Sequence, residues 1–258
     1  MDMLRIEDLS LSYGDKPVVQ NLNLRVKKGQ VVSIIGPNAS GKSSILKSIA
    51  GIIKPVSGKI FIEEKDISKM DSKKLAQKVS ILLQQNKNPD DMSIEELVYF
   101  GRYPHKKWFE GFEASDQKII EEAMKLTNTF ALREKTLETL SGGERQRAWI
   151  AMALAQEPDI LLFDEPTTYL DMAHQIEFLE LVNRLNKETG VTVVLVLHDL
   201  NQAARYGNYL FAMKEGKIFA QGCPKEVLNP QNILSIYNIE AKIFNAAGYP
   251  VVIPERRL

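Results

Sequence analysis

The N-terminal segment alternates. In "MLRIEDLSLSY" and "NLNLRV" (21–26) apolar and polar residues change places at every second position. That is the period of half-exposed strands, and it predicts an antiparallel pair. "VVSIIG" (31–36) replaces the alternation with a short solid apolar run, the pattern of a central parallel strand. A helix is predicted from about Lys42 to Ala50, then an exposed strand pair in "SGKIFIEEKDI" and another strand in "KVSILLQQ". From about residue 88 the pattern becomes helical. Ser93 stands before "IEELVYFG" with Glu96 three residues on, a capping box. Ile119, Ile120, Ala123, Met124 and Leu126 recur at helical spacing, and "GGERQRAWIAMALAQ" reads as a third helix.

Strand character returns in "DILLFDEP" and "VTVVLVLHD", separated by the long amphipathic helix "LDMAHQIEFLELVNRLNKET". "YLFAMKEGKIFAQG" predicts a hairpin turned at Glu215–Gly216. Strand and helix alternating around apolar strands imply an α/β fold with a mostly parallel sheet. The expected organisation is one domain over 1–258. Its core spans 1–87 and 156–222, with antiparallel strands at the N-terminus. Residues 88–155 form a helical insert, and 223–258, with two short helical signals and "YPVVIPE", form a small appendage.

Composition narrows the picture a little. Lys plus Arg and Asp plus Glu are both 33, so the net charge is zero and nothing in it asks for a nucleic-acid partner. Cys223 is the single cysteine, which rules out a disulfide within the chain and suits a reducing compartment. The charged start "MDMLRIEDLSLSYGDK" lacks the apolar core of a signal peptide. The longest apolar run, "VTVVLVL" (191–197), is far short of the ~20 residues of a spanning helix. The chain is expected to stay outside the membrane while remaining able to dock on proteins that cross it. No Cys/His/Asp spacing suggests a structural metal site.

Two motifs carry chemistry. "GPNASGKS" fits G-x-x-x-x-G-K-[ST] with Gly36, Gly41, Lys42 and Ser43, and it lies between a strand and a helix as that motif requires. The glycines let backbone N–H groups turn toward phosphate oxygens, and the helix N-terminus adds its positive end. Lys42 then reaches the β- and γ-phosphates and Ser43 ligates Mg²⁺. "ILLFDEP" ends a buried strand in two carboxylates. Asp164 is the Mg²⁺ partner, and Glu165 is positioned to polarise an attacking water as general base. "LSGGERQR" (140–147) raises a puzzle, because it is a second glycine loop opening a helix and it lacks a lysine.

The order "GPNASGKS", "LLQQ", "LSGGERQR", "ILLFDEP", "YLD", "LHD" resembles the ATP-binding cassette (ABC) ATPases from about Leu4 to Gly222. The resemblance implies the ABC ATPase fold: a P-loop NTPase core with an antiparallel β subdomain and a helical subdomain. It implies ATP and Mg²⁺ as cofactors, with ATP on residues 36–44, namely Gly36, Pro37, Asn38, Ala39, Ser40, Gly41, Lys42, Ser43 and Ser44. Tyr13 is matched to the aromatic that stacks on adenine. Gln85 is matched to the Q-loop glutamine at Mg²⁺ or the attacking water, with Gln84 as the alternative. Asp171 is matched to the D-loop aspartate, equally readable as a helix N-cap, and His198 to the switch histidine near the γ-phosphate.

In the family two cassettes sandwich two ATP molecules. Ser141, Gly142, Gly143 and Glu144 of one chain would thus complete the site on the phosphate loop of its partner. A homodimer is implied, docked through the helical subdomain and Q-loop on two transmembrane permease subunits and served indirectly by a substrate-binding protein. The implied location is the cytoplasmic face of the membrane. "GRYPH" (101–105), "DEPTTYLD" and "LHDLNQAARY" resemble the iron–siderophore, haem and cobalamin importers, most of all the ferric-siderophore members; for "GRYPH" the plain reading is a helix-ending turn made by Pro104. The alternatives are import of haem or cobalamin, or a soluble cassette protein acting on the ribosome or nucleic acid. His174, in "DMAHQIEF", is expected on a helix surface with no chemistry.

Overall fold

The computed structural model of the protein describes residues 1–84, 91–107, 111, 113–168 and 170–257. The alternating segments form β1 (Asp2–Tyr13) and β2 (Lys16–Lys27), paired antiparallel. β3 (Val31–Ile35) is buried at every position and leads through the phosphate-loop motif into α1 (Lys42–Ile49). β4 (Ser57–Ile62) and β5 (Lys65–Asp66) complete an antiparallel sheet ordered β2-β1-β4-β5. A short helix, α2 (Ser72–Lys78), then precedes β6 (Val79–Leu82); only Leu75 of α2 is buried, so it offers no apolar stripe to read in the sequence.

The helical stretch consists of α3 (Ile94–Phe100), α4 (Ala114–Leu126) and α5 (Gly142–Ala155). There follow β7 (Ile160–Asp164), α6 (Met172–Thr189), β8 (Thr192–Val196), α7 (Leu200–Tyr206) and the hairpin β9 (Tyr209–Lys214) and β10 (Lys217–Gly222). The chain closes with α8 (Pro224–Val227), α9 (Pro230–Tyr237) and the hairpin β11 (Ile239–Ala246) and β12 (Tyr249–Arg257).

The central sheet runs β10-β9-β3-β8-β7-β6, and all of its pairs except β9–β10 are parallel. Its inner strands β3, β7 and β8 are buried at every position because both faces are covered. Side chains alternate between two cores. Val194, Val196, Ile160 and Leu162 face α1 and the antiparallel sheet. Val193, Leu195, Leu161 and Phe163 face the helices, where Phe163 meets Phe178 edge-on at 5.3 Å. Because β3, β7 and β8 run parallel, their C-terminal ends share one edge of the sheet. The phosphate loop, Asp164–Glu165 and His198 follow those ends, the place where open α/β sheets bind ligands.

Two expectations are changed by packing. The C-terminal segment joins the main core through Val227, Leu228, Ile233, Ile236 and Val252. The Asn201 side chain bonds both backbone groups of Val252, donating to its carbonyl (3.3 Å) and accepting from its N–H (2.7 Å), and so acts as a strand partner for β12. The second change concerns "GRYPH". α3 stops at Phe100, ahead of Pro104, which lies within a single 3₁₀ turn, Tyr103–His105. The buried Arg102 of this motif is a hub. It donates to Asp116 on α4 (3.1 Å), to the Ala155 carbonyl at the end of α5 (2.7 Å) and to Glu157 (2.8 Å). Lys106 and the Glu113 N–H (2.9 Å) reach the other oxygen of Asp116. Burial opposes ionisation of Asp116, yet these partners outweigh it and hold its carboxyl at about 2. The predicted capping box is present: Ser93 N–H donates to Glu96 (2.8 Å) and Glu96 N–H to Ser93 Oγ (3.2 Å).

Candidate nucleotide site

A cleft of about 780 Å³ opens at the C-terminal edge of the sheet. Residues 38–44, Tyr13, Glu165 and His198 line it, so the structure gathers most of the predicted residues. The phosphate loop is folded to leave donors facing inward. Gly36 has φ +147°, and a Cβ on it would lie 2.4 Å from the Met213 carbonyl oxygen, so no other residue fits. Ala39 adopts φ +61°, unusual for a residue with a Cβ and typical of a loop held by its surroundings. Lys42 is buried and donates to the carbonyls of Gly36 and Pro37, 2.9 Å each. Burial pushes its ammonium below the usual lysine range, against the pull of Glu165 and Asp164. Ser40 Oγ is buried with no partner among the described residues.

Ser43 Oγ donates to Asp164 Oδ1 at 2.7 Å. Burial pushes the Asp164 carboxyl above its ordinary range, with the Ser43 hydroxyl pulling the other way. Glu165, the residue after β7, has φ +52° and its Oε1 lies 2.7 Å from His198 Nε2. A strained backbone at this point turns the carboxylate out of the strand and into the cleft. Glu165 and His198 therefore meet, although they lie 33 positions apart in the sequence.

These features suit a bound nucleotide and metal. A loop with an orphaned hydroxyl, an ammonium with two of its three N–H groups bonded to the loop itself and a helix N-terminus calls for an anion. The Ser43–Asp164 pair offers two hard oxygens side by side, the kind of donor that Mg²⁺ takes alongside phosphate and water.

The second glycine loop lies elsewhere. Neither Ser141 nor Gly143 is among the described residues lining the cleft. Ser141 N-caps α5 in a capping box: its N–H donates to Glu144 (2.8 Å), and its Oγ accepts the Glu144 N–H (3.3 Å). The Ser141 hydroxyl is bonded to the Glu144 side chain as well, and these bonds hold that carboxyl below its usual range. Asp171 N-caps α6, accepting the His174 N–H at 2.9 Å, and also lies outside the cleft. Gln85 falls outside the described residues; its alternative, Gln84, lines the cleft.

Sequence reasoning missed two groups. Lys16, Pro17, Val18 and Gln20, with the hairpin turn Glu215–Gly216, form a wall of the cleft. The turn was legible, but its folding back onto β2, where Gln20 N–H donates to the Gly216 carbonyl (3.0 Å), is a tertiary contact. The other is Tyr237, from the C-terminal segment, whose hydroxyl is hydrogen-bonded to the Gly36 backbone; burial pushes the pKa of that hydroxyl well above the usual tyrosine range.

The profile of the ABC transporter family matches residues 19–168, more than half of the chain. This chain is an ABC ATPase. It is 44% identical to the ferric enterobactin transport ATP-binding protein FepC of Escherichia coli (strain K12), over 97% of this chain and 93% of that protein. It is 44% identical to the iron(3+)-hydroxamate import ATP-binding protein FhuC of Bacillus subtilis (strain 168), over 94% and 90%. Among solved structures, an inward-facing ABC transporter of metal-chelate type superposes with a TM-score of 0.86 at 26% identity, covering 99% of this chain and 98% of that one. A dimeric ATP-binding cassette in a post-hydrolysis state, bound to ADP and Pi, superposes on this ABC chain with a TM-score of 0.73 at 31% identity over 86% and 98%. No helix among the described residues of the ATPase is long and apolar enough to cross a membrane.

Proposed function

We propose that the protein is the ATP-hydrolysing subunit of a ferric-siderophore importer, working as a homodimer with two ATP molecules held between its protomers. The observation that carries the dimer is the separation of the two phosphate-directed loops. The cleft is lined by the cationic loop, Glu165 and the histidine, while the Ser141 cap at the start of α5 lies outside it. One loop covers one side of a γ-phosphate. A second protomer, turned head to tail, would bring its Ser141 and Gly143 to the other side. Lysine is unnecessary there because Lys42 already supplies the cation.

Within each site Lys42 and the loop N–H groups bind and orient the phosphates, and Tyr13, 53% exposed, offers a ring face to the base. Ser43 and Asp164, with the Q-loop glutamine Gln85, would hold Mg²⁺, which when bound neutralises phosphate charge during hydrolysis. Glu165 takes the proton of the attacking water, and His198, bonded to it, fixes the direction of that carboxylate. Asp171 links the halves of the dimer.

Docking on permease subunits at the cytoplasmic face of the membrane is supported by the exposed aromatic pair Phe100 and Tyr103, 5.1 Å apart at the end of α3. The siderophore cargo is supported by the relatives named above, since this chain would not touch it. Two experiments test the reading. Glu165→Gln should bind ATP, stop hydrolysing it and run as an ATP-dependent dimer in analytical ultracentrifugation; a monomer at saturating ATP rejects the sandwich. Deletion of the protein should abolish growth on a ferric siderophore as sole iron source, and unchanged growth rejects the cargo.

A further inference from the structure

The Ser141 loop does not stand free in its own protomer. It rests on the N-terminus of α6, and the contact is made by His174. A Cβ on Gly143 would lie 2.5 Å from His174 Cδ2, 3.1 Å from Nε2 and 3.4 Å from Cγ. The imidazole thus fills the space a side chain would need, and Gly143 packs directly on the ring. The ring is itself fixed. His174 Nδ1 lies 2.9 Å from Asp171 Oδ1, the oxygen that also accepts the His174 backbone N–H. The side chain is 37% exposed, so His174 lies on the helix surface as expected while one part of its ring is covered by Gly143.

The surrounding bonds lead back to the chemistry. Gln146, one turn into α5, donates to the carbonyl of Pro166, the residue after Glu165. Gln175 donates to the carbonyls of Thr167 and Leu170, 3.1 Å each, and accepts from Gln202 of α7 at 2.6 Å. α7 begins two residues after His198. The loop meant for the partner's nucleotide is therefore built on the segments that carry this protomer's own base and histidine.

We propose that His174 is a positioning residue for the shared site: its ring, locked by Asp171, sets the height and direction of the Gly143 N–H at the N-terminus of α5. The N–H groups of Gly142 and Gly143 have no acceptor among the described residues. A helix N-terminus grips phosphate only when such donors point at the oxygens, and a shift of about 1 Å there is costly. His174 touches neither nucleotide nor reacting atoms. This inference rests on the sandwich reading above, and it predicts an effect on assembly that leaves nucleotide binding by the monomer alone.

The test uses the Glu165→Gln protein and measures two quantities with ATP: affinity of the monomer, by calorimetry at dilution, and the ATP concentration giving half-maximal dimer, by ultracentrifugation. His174→Ala should leave the first within about twofold and raise the second by about tenfold, the usual scale of coupling between sites. With Glu165 restored, His174→Ala should lower kcat far more than it raises KM. His174→Phe, which keeps a flat ring against Gly143, should recover most of the dimer. Should His174→Ala fold poorly, His174→Asn, which keeps a bond to Asp171 without the ring, replaces it with the same expected loss. A dimer midpoint within twofold of the parent overturns the role. So does an equal loss of monomer affinity, or a folded His174→Phe no better than His174→Ala. If Glu165→Gln itself never dimerises, the sandwich reading fails and takes this role with it; if it dimerises and His174→Ala matches it, only this role fails.

Discussion

The protein carries two glycine loops that each open a helix, and it builds them in opposite ways. The loop at residues 36–44 is folded inward, with a buried ammonium, a hydroxyl paired to a carboxylate, and a tyrosine from the far end of the chain bonded to its first glycine. The loop at residues 141–144 is exposed at Ser141 and Gly142, has no cation, and satisfies its cap with its own Glu144. The first can bind a polyphosphate alone. The second lacks that charge, and under the proposed sandwich it would add to a site already occupied. What differs is the supporting scaffold, and that difference divides binding from assembly.

Changes that break this contrast should show effects of descending size. The largest is Glu165→Gln, expected to lower kcat about a thousandfold, as loss of a general base does; steady-state phosphate release measures it. Next come two substitutions that should separate the loops. Lys42→Ala should weaken ATP binding by the monomer about a hundredfold through loss of a charge-assisted contact. Ser141→Arg should leave that binding intact and lower turnover about a hundredfold, as removal of a preorganised donor does. Mixing the two variants should restore activity above either alone, because one composite site in two is then intact. Equal effects of both substitutions on monomer binding would erase the distinction.

The scaffolds themselves give smaller effects. Asp116→Asn leaves the buried Arg102 short of its charge partner between α3, α4 and α5 and should cost about 3 kcal/mol in chemical denaturation. The pH dependence has a defined sign. The folded-state value of Asp116, about 2, lies below its ordinary 3.8, so its stabilisation is fully present above 3.8 and is lost as pH falls from there to about 2. The parent should lose stability through that window and Asp116→Asn should lose less, as read by thermal melts. The smallest effect is expected from Tyr237→Phe, which removes one hydrogen bond to Gly36 and should cost about 1 kcal/mol. Isothermal titration with ATP should show a severalfold drop in affinity, with the dimer midpoint following it.

Much of this was legible without coordinates. Residues 36–44 announce themselves because glycines, lysine and serine must fall at fixed spacing for a backbone to wrap phosphate, and local geometry alone sets that spacing. The apolar runs of β3, β7 and β8 are equally plain, since strands covered on both faces tolerate nothing else. α2 escaped notice because one buried leucine makes no periodicity. Arg102 was hidden because the sequence of "GRYPH" shows a turn and cannot show what the arginine is buried against. The packing of His174 was hidden for a related reason: its position on α6 implied a surface and could not show that its neighbour is a glycine 31 positions earlier in the chain.

The sequence by itself determined the strand and helix order, the phosphate loop, the carboxylates after β7 and the caps of α3 and α5, because each depends on residues within a few positions of one another. Tertiary structure alone decided which groups meet. It joined Glu165 to His198 and Ser43 to Asp164, drew the C-terminal segment into the core so that Tyr237 reaches Gly36, and set the Gly143 loop on His174 and apart from the cleft. Those contacts arise from parallel strands ending at one edge and from side chains filling space, and neither constraint is written in local spacing.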